Sequence, residues 1–176
     1  MAYWSSRGLR GSTLESLINL TNEKYREKGL ALIQKIPTPI KPIKIDQENR
    51  RITLAYFEQR STVDYIGIVQ GIPICFDAKE TRKEFLPVHN IHEHQIDFME
   101  EFEKQKGMSF LIIYFSKHDE YYYLPFRLLK EFWIKAQNGG RKSIPYKAFE
   151  SDYKIETKNG LLLHYLELVQ YELNRD

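Results

Sequence analysis

The sequence predicts a single α/β domain over residues 1–176, and three observations support this class. Amphipathic helical segments alternate with short strand segments, one strand segment is apolar on both faces, and the chain contains no linker, internal repeat or low-complexity tract. The doubly apolar segment, residues 108–116, reads MSFLIIYFS and is typical of a central strand, because both faces of such a strand are covered. A chain of 176 residues is long enough to bury the core of one domain.

The first helix is predicted from a capping-box spacing between Ser12 and Glu15 and from a glycine, Gly29, at its end. Its apolar face consists of Leu14, Leu17, Ile18 and Tyr25. Residues 31–36 are short and mostly apolar, which indicates a strand directly after this helix.

A proline-rich segment follows at residues 37–46, PTPIKPIKID. Its three prolines remove N–H donors from any strand ladder and restrict the backbone to extended conformations, so the segment is not a central strand. We expect residues 37–51 or so to project from the domain as a stiff stalk that carries lysines. The strand RITLAYF, residues 51–57, then returns the chain to the domain.

Residues 61–81, STVDYIGIVQGIPICFDAKET, are predicted to form a hairpin of two apolar strands about a Gln70-Gly71 turn. This hairpin places charges of both signs at one end. Asp64 lies near the start of its first strand, and Asp77 and Lys79 lie near the end of its second strand. A hairpin that served only to fill a core would not need these residues, so its charged end is a candidate site.

Three further helices complete the predicted order, and residues 141–160 are predicted to be mostly loop. The second helix begins at a capping-box spacing, the third begins at a proline and ends at a glycine pair, and the fourth is recognised by its apolar face. Their predicted limits are Asn90 and Gly107, Pro125 and Gly140, and about Leu161 and Leu173. The tyrosines at 121–123 are predicted to form a strand with alternating buried faces, with a dimer interface as the alternative.

The charges are distributed unevenly along the chain, although the formal net charge is only +2. Residues 1–51 contain ten Lys and Arg against five Asp and Glu, and residues 127–147 contain six against one. Residues 52–126 contain seven against twelve. Basic segments that flank an acidic middle favour a protein that grips a polyanion and holds a cation over it, with ordinary solvated surfaces as the alternative.

Several classes of protein are disfavoured by composition. Cys75 is the only cysteine, so the chain has neither a disulfide framework nor a thiolate zinc site. The longest purely apolar run, Phe110–Phe115, is too short to span a bilayer, and the first eleven residues lack the apolar stretch of a signal peptide. We therefore expect a cytoplasmic protein that does not associate with a membrane.

The charged end of the hairpin has the residue types of a metal-dependent hydrolase. Asp77 and Lys79 share one strand face because side chains two residues apart point the same way, and Asp64 on the partner strand can reach that face. Two carboxylates suit a hard cation such as Mg²⁺, a nearby lysine can offset charge on a phosphate, and Glu15 could complete the ligand set. The alternative for these residues is an exposed salt bridge.

This layout resembles the PD-(D/E)xK nuclease fold, and five segments resemble the RecU family of bacterial Holliday junction resolvases in order and approximate spacing. The segments are KIPTPIKPI, AYFEQRSTVDYIGI, FDAKET, HNIHEHQIDFM and GGRKSI. The resemblance covers about residues 7–150. It implies a restriction-endonuclease-like core, in which helices flank a mixed central sheet, together with a projecting proline-rich stalk.

The resemblance also implies roles for individual residues. The T-x-D motif of the family resembles Thr62 and Asp64, and its acidic-x-Lys motif resembles Asp77 and Lys79. The implied catalytic residues are completed by the glutamate of the first helix, Glu15, and by the glutamine after the active-site strands, Gln95. The implied metal ligands are Asp64, Asp77, Thr62 and Gln95, for Mg²⁺ with Mn²⁺ as a substitute.

Basic side chains in three segments are the candidate DNA contacts, because phosphates dominate the affinity of such proteins. They are Arg7 and Arg10, Lys41 and Lys44, and Arg141 and Lys142. We place Arg7 and Arg10 in a flexible basic arm. The histidines His89, His92 and His94 do not share one helical face and lack cysteine partners, which favours a position on the DNA side over a zinc site.

The predicted function is a Mg²⁺-dependent, structure-selective endonuclease that resolves four-way DNA junctions by paired nicks during recombination and repair. Two symmetric nicks imply a homodimer with two active sites, and a recombinase or a branch-migration helicase is a possible further partner. Two alternatives remain at this point. One is another nuclease of the same fold, and the other is a DNA-binding recombination factor with vestigial nuclease activity.

Overall fold

The computed structural model of the chain describes residues 10–57, 62–149 and 151–175. Its helices are α1 (Arg10–Glu27), α2 (Glu93–Lys104), α3 (Phe126–Gln137) and α4 (Leu166–Leu173). Its strands are β1 (Leu32–Lys35), β2 (Ile40–Asp46), β3 (Arg51–Phe57), β4 (Tyr65–Val69), β5 (Ile72–Thr81), β6 (Phe85–Pro87), β7 (Met108–Phe115), β8 (Glu120–Pro125), β9 (Ser143–Pro145) and β10 (Lys154–Ile155). Among the described residues, none of the helices combines the length and the apolar composition needed to cross a membrane.

The central sheet has six strands in the order β1-β4-β5-β7-β8-β10 and is mixed. Strands β5 and β7 are parallel, with Asp77 opposite Leu111, and the other pairs of neighbours are antiparallel. The connection from β5 to β7 contains α2, as a parallel pair requires. The predicted central strand is confirmed, since β7 lies inside the sheet and most of its residues are buried.

Helices cover both faces of this sheet, which confirms the predicted α/β class. Side chains of α1 and α4 pack with Phe76 and Phe110 on one face, and side chains of α2 and α3 pack with Cys75 and Leu111 on the other. Successive residues of β5 therefore point into different cores, as the strand period of two requires. This alternation decides which side chains can meet Asp77.

Four aromatic rings form a continuous stack across the centre of the first face. Tyr65 on β4, Phe76 on β5, Phe110 on β7 and Tyr123 on β8 have successive centroid distances of 4.7, 4.8 and 4.4 Å. Such cross-strand pairs stabilise a sheet beyond the burial of their area. Tyr122 and Tyr123 of β8 are buried within the chain itself, so these two side chains are not available to a dimer interface.

The proline-rich segment lies outside the central sheet. Strands β2 and β3 form a separate two-stranded antiparallel ribbon, with register shifts around Pro42 and Lys44. A proline lacks the N–H that a regular ladder uses, which accounts for an irregularity at Pro42. We call β2 and β3 with their connection, residues 40–57, the ribbon. Its position outside the six-stranded sheet confirms the prediction that the proline-rich segment is not a central strand. Its projection from the domain as a stalk stays a prediction.

Two predicted helix starts are wrong. Helix α1 begins at Arg10, two residues before Ser12, so the predicted capping position lies within the helix. Helix α2 begins at Glu93, since Asn90 belongs to a 3₁₀ turn and Ile91 is extended and buried. The N-cap of α2 is His92, and Gln95 is the residue that completes the capping box.

The C-terminal third also differs from its prediction. Part of the predicted loop forms β9, which pairs with β6 in a small sheet, and β10, which extends the central sheet beyond β8. The last helix begins at Leu166 rather than at about Leu161. Leu161 and Leu163 are buried while Leu162 is exposed, so this stretch alternates with the period of an extended chain and not of a helix.

Glu120 joins three elements in this region. Its carboxylate accepts a hydrogen bond of 2.8 Å from Tyr122 Oη, and it also binds Lys154 Nζ of β10 and Tyr146 Oη. The pKa of Glu120 is lowered from its ordinary 4.5 to about 2. The largest cause is the hydrogen bond from Lys154, and the second is the hydrogen bond from Tyr146. The charged form of Glu120 is therefore favoured by folding.

The variant Glu120→Gln should lower the free energy of unfolding at pH 7 by on the order of 2 kcal/mol. Because folding depresses this pKa, the stabilisation is complete above pH 4.5 and is lost as the pH falls towards 2. Urea unfolding from pH 8 down to pH 3 should show a constant difference between wild type and variant that shrinks below pH 4.5. The control Glu131→Gln removes only an exposed pair with Lys135; an equal effect of both variants would contradict the prediction.

Candidate active site

The hairpin β4–β5 is formed as the sequence predicts. Gln70 and Gly71 both have positive φ angles, 48° and 94°, and the strands pair from Val69 opposite Ile72 onward. Two left-handed residues make the turn whose twist matches that of the flanking strands. This register brings Asp64, which immediately precedes β4, beside Asp77 in β5.

Asp77 lies at the centre of the site. Its side chain is 0 % exposed, and its Oδ1 accepts a hydrogen bond of 3.0 Å from the backbone N–H of Asp64. Its Oδ2 accepts a bond of 2.8 Å from Gln95 Nε2 and forms an ion pair with Lys79 Nζ. A buried carboxylate requires such partners, and here they come from three segments of the chain.

The carboxyl groups of Asp64 and Asp77 influence each other, because the backbone N–H of Asp64 donates to Asp77 Oδ1 and the negative charge of Asp77 disfavours a second charge nearby. Burial, and then the hydrogen bond and the charge of Asp77, raise the pKa of Asp64 well above its ordinary value. Asp64 Oδ2 also accepts a bond of 2.9 Å from the backbone N–H of Ala78, which opposes this rise. A divalent cation would favour the charged form of both neighbouring carboxyls, so the pair fits a metal site.

Gln95 connects this pair to the start of α2. Its Oε1 accepts hydrogen bonds from the backbone N–H of His92 at 3.1 Å and from Lys79 Nζ at 3.4 Å, while its Nε2 donates to Asp77. The two donors bind the oxygen of the Gln95 amide and the carboxylate of Asp77 binds its nitrogen, so these contacts determine the orientation of the amide. The capping interaction of Gln95 was missed at the sequence level, although the three-residue spacing from His92 to Gln95 is the available signal.

Glu15 does not join the two aspartates. It lies on α1, which packs on the other face of the sheet, and its Oε2 forms an ion pair of 2.5 Å with Lys35 Nζ of β1. Thr62 is half-buried at a bend two residues before Asp64 and is not part of a strand. Within the described part of the chain, no three His, Cys, Asp or Glu side chains are grouped to hold a metal ion.

Two carboxylates nevertheless suffice for Mg²⁺. This ion keeps several waters and is commonly bound by one or two carboxylates together with phosphate oxygens of the substrate. Asp64 and Asp77 are therefore the residues that fit the ion best. Lys79, whose side chain is 16 % exposed, lies beside them and forms an ion pair with Asp77.

The predicted DNA contacts are distributed over the surface. Lys41 and Lys44 are exposed on β2, and Arg141 and Lys142 are exposed in the segment before β9, where Arg141 Nε donates to Ser143 Oγ at 3.0 Å. Arg10 is the first residue of α1, so the predicted flexible arm does not extend to it. Arg7 lies outside the described residues.

The histidines are close to the start of α2. The rings of His92 and His94 stack with a centroid distance of 5.4 Å, and His92 is exposed. Gln95 binds both the backbone N–H of His92 and the carboxylate of Asp77. The stacked histidine rings therefore lie at the same end of α2 as the aspartate pair.

Comparisons with known proteins show which family this chain resembles. The family model described as Recombination protein U (RecU) matches residues 9–171. Holliday junction resolvase RecU of Oceanobacillus iheyensis is 43 % identical over 166 residues, which cover 92 % of this chain and 82 % of that protein. The protein of the same name from Lactococcus lactis subsp. lactis is 45 % identical over 167 residues, which cover 92 % of this chain and 78 % of that protein.

Among solved structures, Hjc, a Holliday junction resolvase of Archaeoglobus fulgidus, aligns with a TM-score of 0.40 and 7 % identity over 67 % of this chain and 74 % of that chain. That likeness is too weak to support an argument. The family model, in contrast, spans nearly all of the chain, including every residue of the aspartate cluster. The identity to the two curated relatives is high over nine tenths of the chain. This chain therefore belongs to the RecU family.

Proposed function

We propose that this chain is a Mg²⁺-dependent, structure-selective endonuclease that resolves four-way (Holliday) DNA junctions by paired symmetric nicks. The observation that carries the proposal is the cluster of Asp64, Asp77, Lys79 and Gln95 at the end of the β4–β5 hairpin. The names of the relatives, which are Holliday junction resolvases, support the same substrate. Recombination and repair are the processes in which such junctions arise.

Asp64 and Asp77 are the proposed metal ligands, and Thr62 and Gln95 are proposed as further ligands. A divalent cation bound there, Mg²⁺ or Mn²⁺ in its place, would activate a water and offset charge on the phosphate. The N–H groups of Asp64 and Ala78 each donate a hydrogen bond to one of the two carboxyls, which restricts the orientation of both side chains. Glu15 is proposed to act from the first helix, and its ion pair with Lys35 then has to open.

Lys79 is the proposed electrostatic catalyst. Its ammonium group is held by Asp77 and Gln95, so it is oriented before DNA binds, and a preorganised cation stabilises the charge that develops on a phosphate. Gln95 is the proposed positioning residue for both partners. Because its Oε1 is also bound by the backbone of His92, a displacement of α2 would move Lys79 and Asp77 together.

A cleavage assay tests this function. Four-way junction, linear duplex and single-stranded DNA of matched length should be incubated with the protein in Mg²⁺ and in EDTA. We expect paired nicks in the junction in Mg²⁺, little cleavage of the other substrates, and none in EDTA. Equal cleavage of duplex and junction would contradict junction selectivity, and cleavage in EDTA would contradict the metal mechanism.

We also infer a homodimer, because two symmetric nicks need two active sites related by a two-fold axis. Sedimentation at micromolar concentration should give twice the chain mass of 21.0 kDa. Junction-bound protein should likewise contain two chains for each four-way junction. A monomer both in free solution and on the junction would contradict this inference.

Selectivity for the junction is proposed to arise from the ribbon. Lys41 and Lys44 are exposed on β2, where they can reach phosphates that converge at the centre of a junction but not on a duplex. Arg7, Arg10, Arg141 and Lys142 are the other proposed phosphate contacts, and these serve duplex and junction alike. The ribbon is therefore expected to contribute mainly to the difference between the two affinities.

The double variant Lys41→Ser/Lys44→Ser should lower the ratio of duplex to junction dissociation constants by about tenfold at constant salt, since each lost phosphate contact weakens binding. Both side chains are exposed, so the fold is expected to be retained. The control Lys104→Ser/Lys135→Ser makes the same change of charge on α2 and α3. An unchanged ratio, or an equal change in the control, would assign selectivity to another part of the protein.

A further inference from the structure

A cavity of about 300 Å³ lies between the C-terminal half of α3, the 3₁₀ turn before α2 and the segment before β9. Its apolar lining consists of Val88, Trp133 and Ala136, and the exposed residues His89 and Lys142 also line it. Sites for small ligands have volumes of about 300–1,000 Å³, so this cavity is at the lower end of that range. It has room for one flat ring system.

Trp133 supplies the aromatic part of the lining. It is half-buried, since it also packs against the core beneath α3. Trp133 and Ala136 lie three residues apart in α3 and therefore on the same face of this helix, which is the face that lines the cavity. Proteins hold unpaired nucleobases by stacking them on aromatic side chains, because every base has a π face.

The charge of the lining favours an anion. Among the described residues that line the cavity none is acidic, and Lys142 is a permanent cation there. Arg141, the residue before it, is also exposed. A nucleotide combines a flat base with a negative phosphate, so an aromatic side chain beside a lysine matches both of its parts.

The cavity is joined to the candidate active site by a short stretch of backbone. The N–H of Val88 donates a bond of 3.1 Å to the carbonyl of Lys142, which connects two walls of the cavity. The 3₁₀ turn of Val88 leads directly into α2, where Gln95 binds Asp77. His89 precedes Gln95 by six residues, so their Cα atoms lie at most about 22 Å from each other. A DNA strand advances about 3.4 Å per nucleotide, so about six nucleotides cover this distance.

We propose that this cavity binds one unpaired nucleobase of the DNA substrate, stacked on Trp133, with the adjacent phosphate at Lys142. The proposal rests on the proposed function, since it gives the cleaved DNA a contact beside the aspartate cluster. Stacking accepts every base, so the cavity recognises an unpaired position and not a sequence. The bases of a continuous duplex are paired and stacked on each other, so such a duplex does not fill the cavity.

The fluorescence of Trp133 tests the proposal without a change to the cavity. The chain has two tryptophans, so Trp4→Phe leaves Trp133 as the single one. This protein should be titrated, in Ca²⁺ without Mg²⁺, with four-way junctions that carry one unpaired thymidine at each of the six positions on either side of the nick. The matched probe has an abasic site in place of the thymidine and keeps every phosphate. We expect saturable quenching with an unpaired thymidine and little with the abasic site.

Fluorescence anisotropy of a labelled DNA strand measures binding in the same titration. A junction that binds with equal quenching by thymidine and by the abasic site, or with no quenching at any position, overturns the cavity proposal alone. Absence of binding to every junction overturns the proposed function as well.

Trp133→Leu should lower the ratio of the dissociation constants of abasic and thymidine junctions by about tenfold, the effect of one lost stack of a base on an aromatic ring. Trp133→Phe should retain most of the ratio, and Lys142→Ser should weaken both junctions equally, because both contain the phosphate. Phe132→Leu is the matched control, since Phe132 packs against the same core but does not line the cavity. An unchanged ratio in Trp133→Leu, or an equal change in Phe132→Leu, would overturn the proposal.

Discussion

Asp77→Asn should reduce cleavage of a four-way junction by at least about a hundredfold. Loss of a residue that only orients a metal ligand typically costs about 10- to 100-fold, and Asp77 is itself a proposed ligand. The substitution keeps the size of the side chain but removes its charge, so neither a cation nor Lys79 retains its partner. Binding to the junction should persist, because it rests on lysines and arginines. Asp64→Asn is expected to behave in the same way.

The measurement compares single-turnover cleavage with the dissociation constant for the same junction in Ca²⁺ and in EDTA. Asp97→Asn is the matched control, since Asp97 is an exposed aspartate of α2 that lies outside the aspartate cluster. Thermal unfolding of each variant checks that the fold is intact. Cleavage by Asp77→Asn at the rate of the control would exclude the proposed mechanism.

Gly67→Ala should lower the free energy of unfolding by about 3 kcal/mol, at the upper end of the typical range for overpacking. A Cβ atom at Gly67 would lie 2.5 Å from the carbonyl oxygen of Leu32 and 2.7 Å from Cα of Ile33. Both are backbone atoms of β1, so relief of the clash requires this strand to move. The N–H of Ile36 donates a bond of 2.8 Å to the carbonyl of Asp64, so a displaced β1 should also disturb the active site.

Gly29→Ala provides the comparison for this variant. A Cβ atom there meets nothing within 4 Å, and its effect should be only the strain of a left-handed residue, about 1–2 kcal/mol. Guanidinium chloride unfolding of both variants measures the difference. If Gly67→Ala is no less stable than Gly29→Ala, the close approach of β4 to β1 is not a constraint on the sequence.

The amino-acid sequence by itself determined the local features of this protein. The Gln70-Gly71 pair predicted the hairpin turn, because a two-residue loop between apolar segments is the commonest hairpin connection and Gly71 accepts positive φ without steric cost. The doubly apolar segment at 108–116 specified the central strand, and the hairpin register followed from the turn, which placed Asp64 beside Asp77. These features depend on residues that are adjacent in the chain or that share one strand period, so a pattern is enough to predict them.

Only the tertiary structure decided the features that depend on contacts between distant segments. Glu15 was grouped with the aspartates from the sequence, but α1 packs on the opposite face of the sheet and Lys35 binds its carboxylate. The start of α2 was predicted at Asn90, but the burial of Ile91 delays the helix and makes Gln95 both a capping residue and a partner of Asp77. Sheet faces and burial arise from packing of the whole chain, whereas the local pattern around each of these residues is compatible with either outcome.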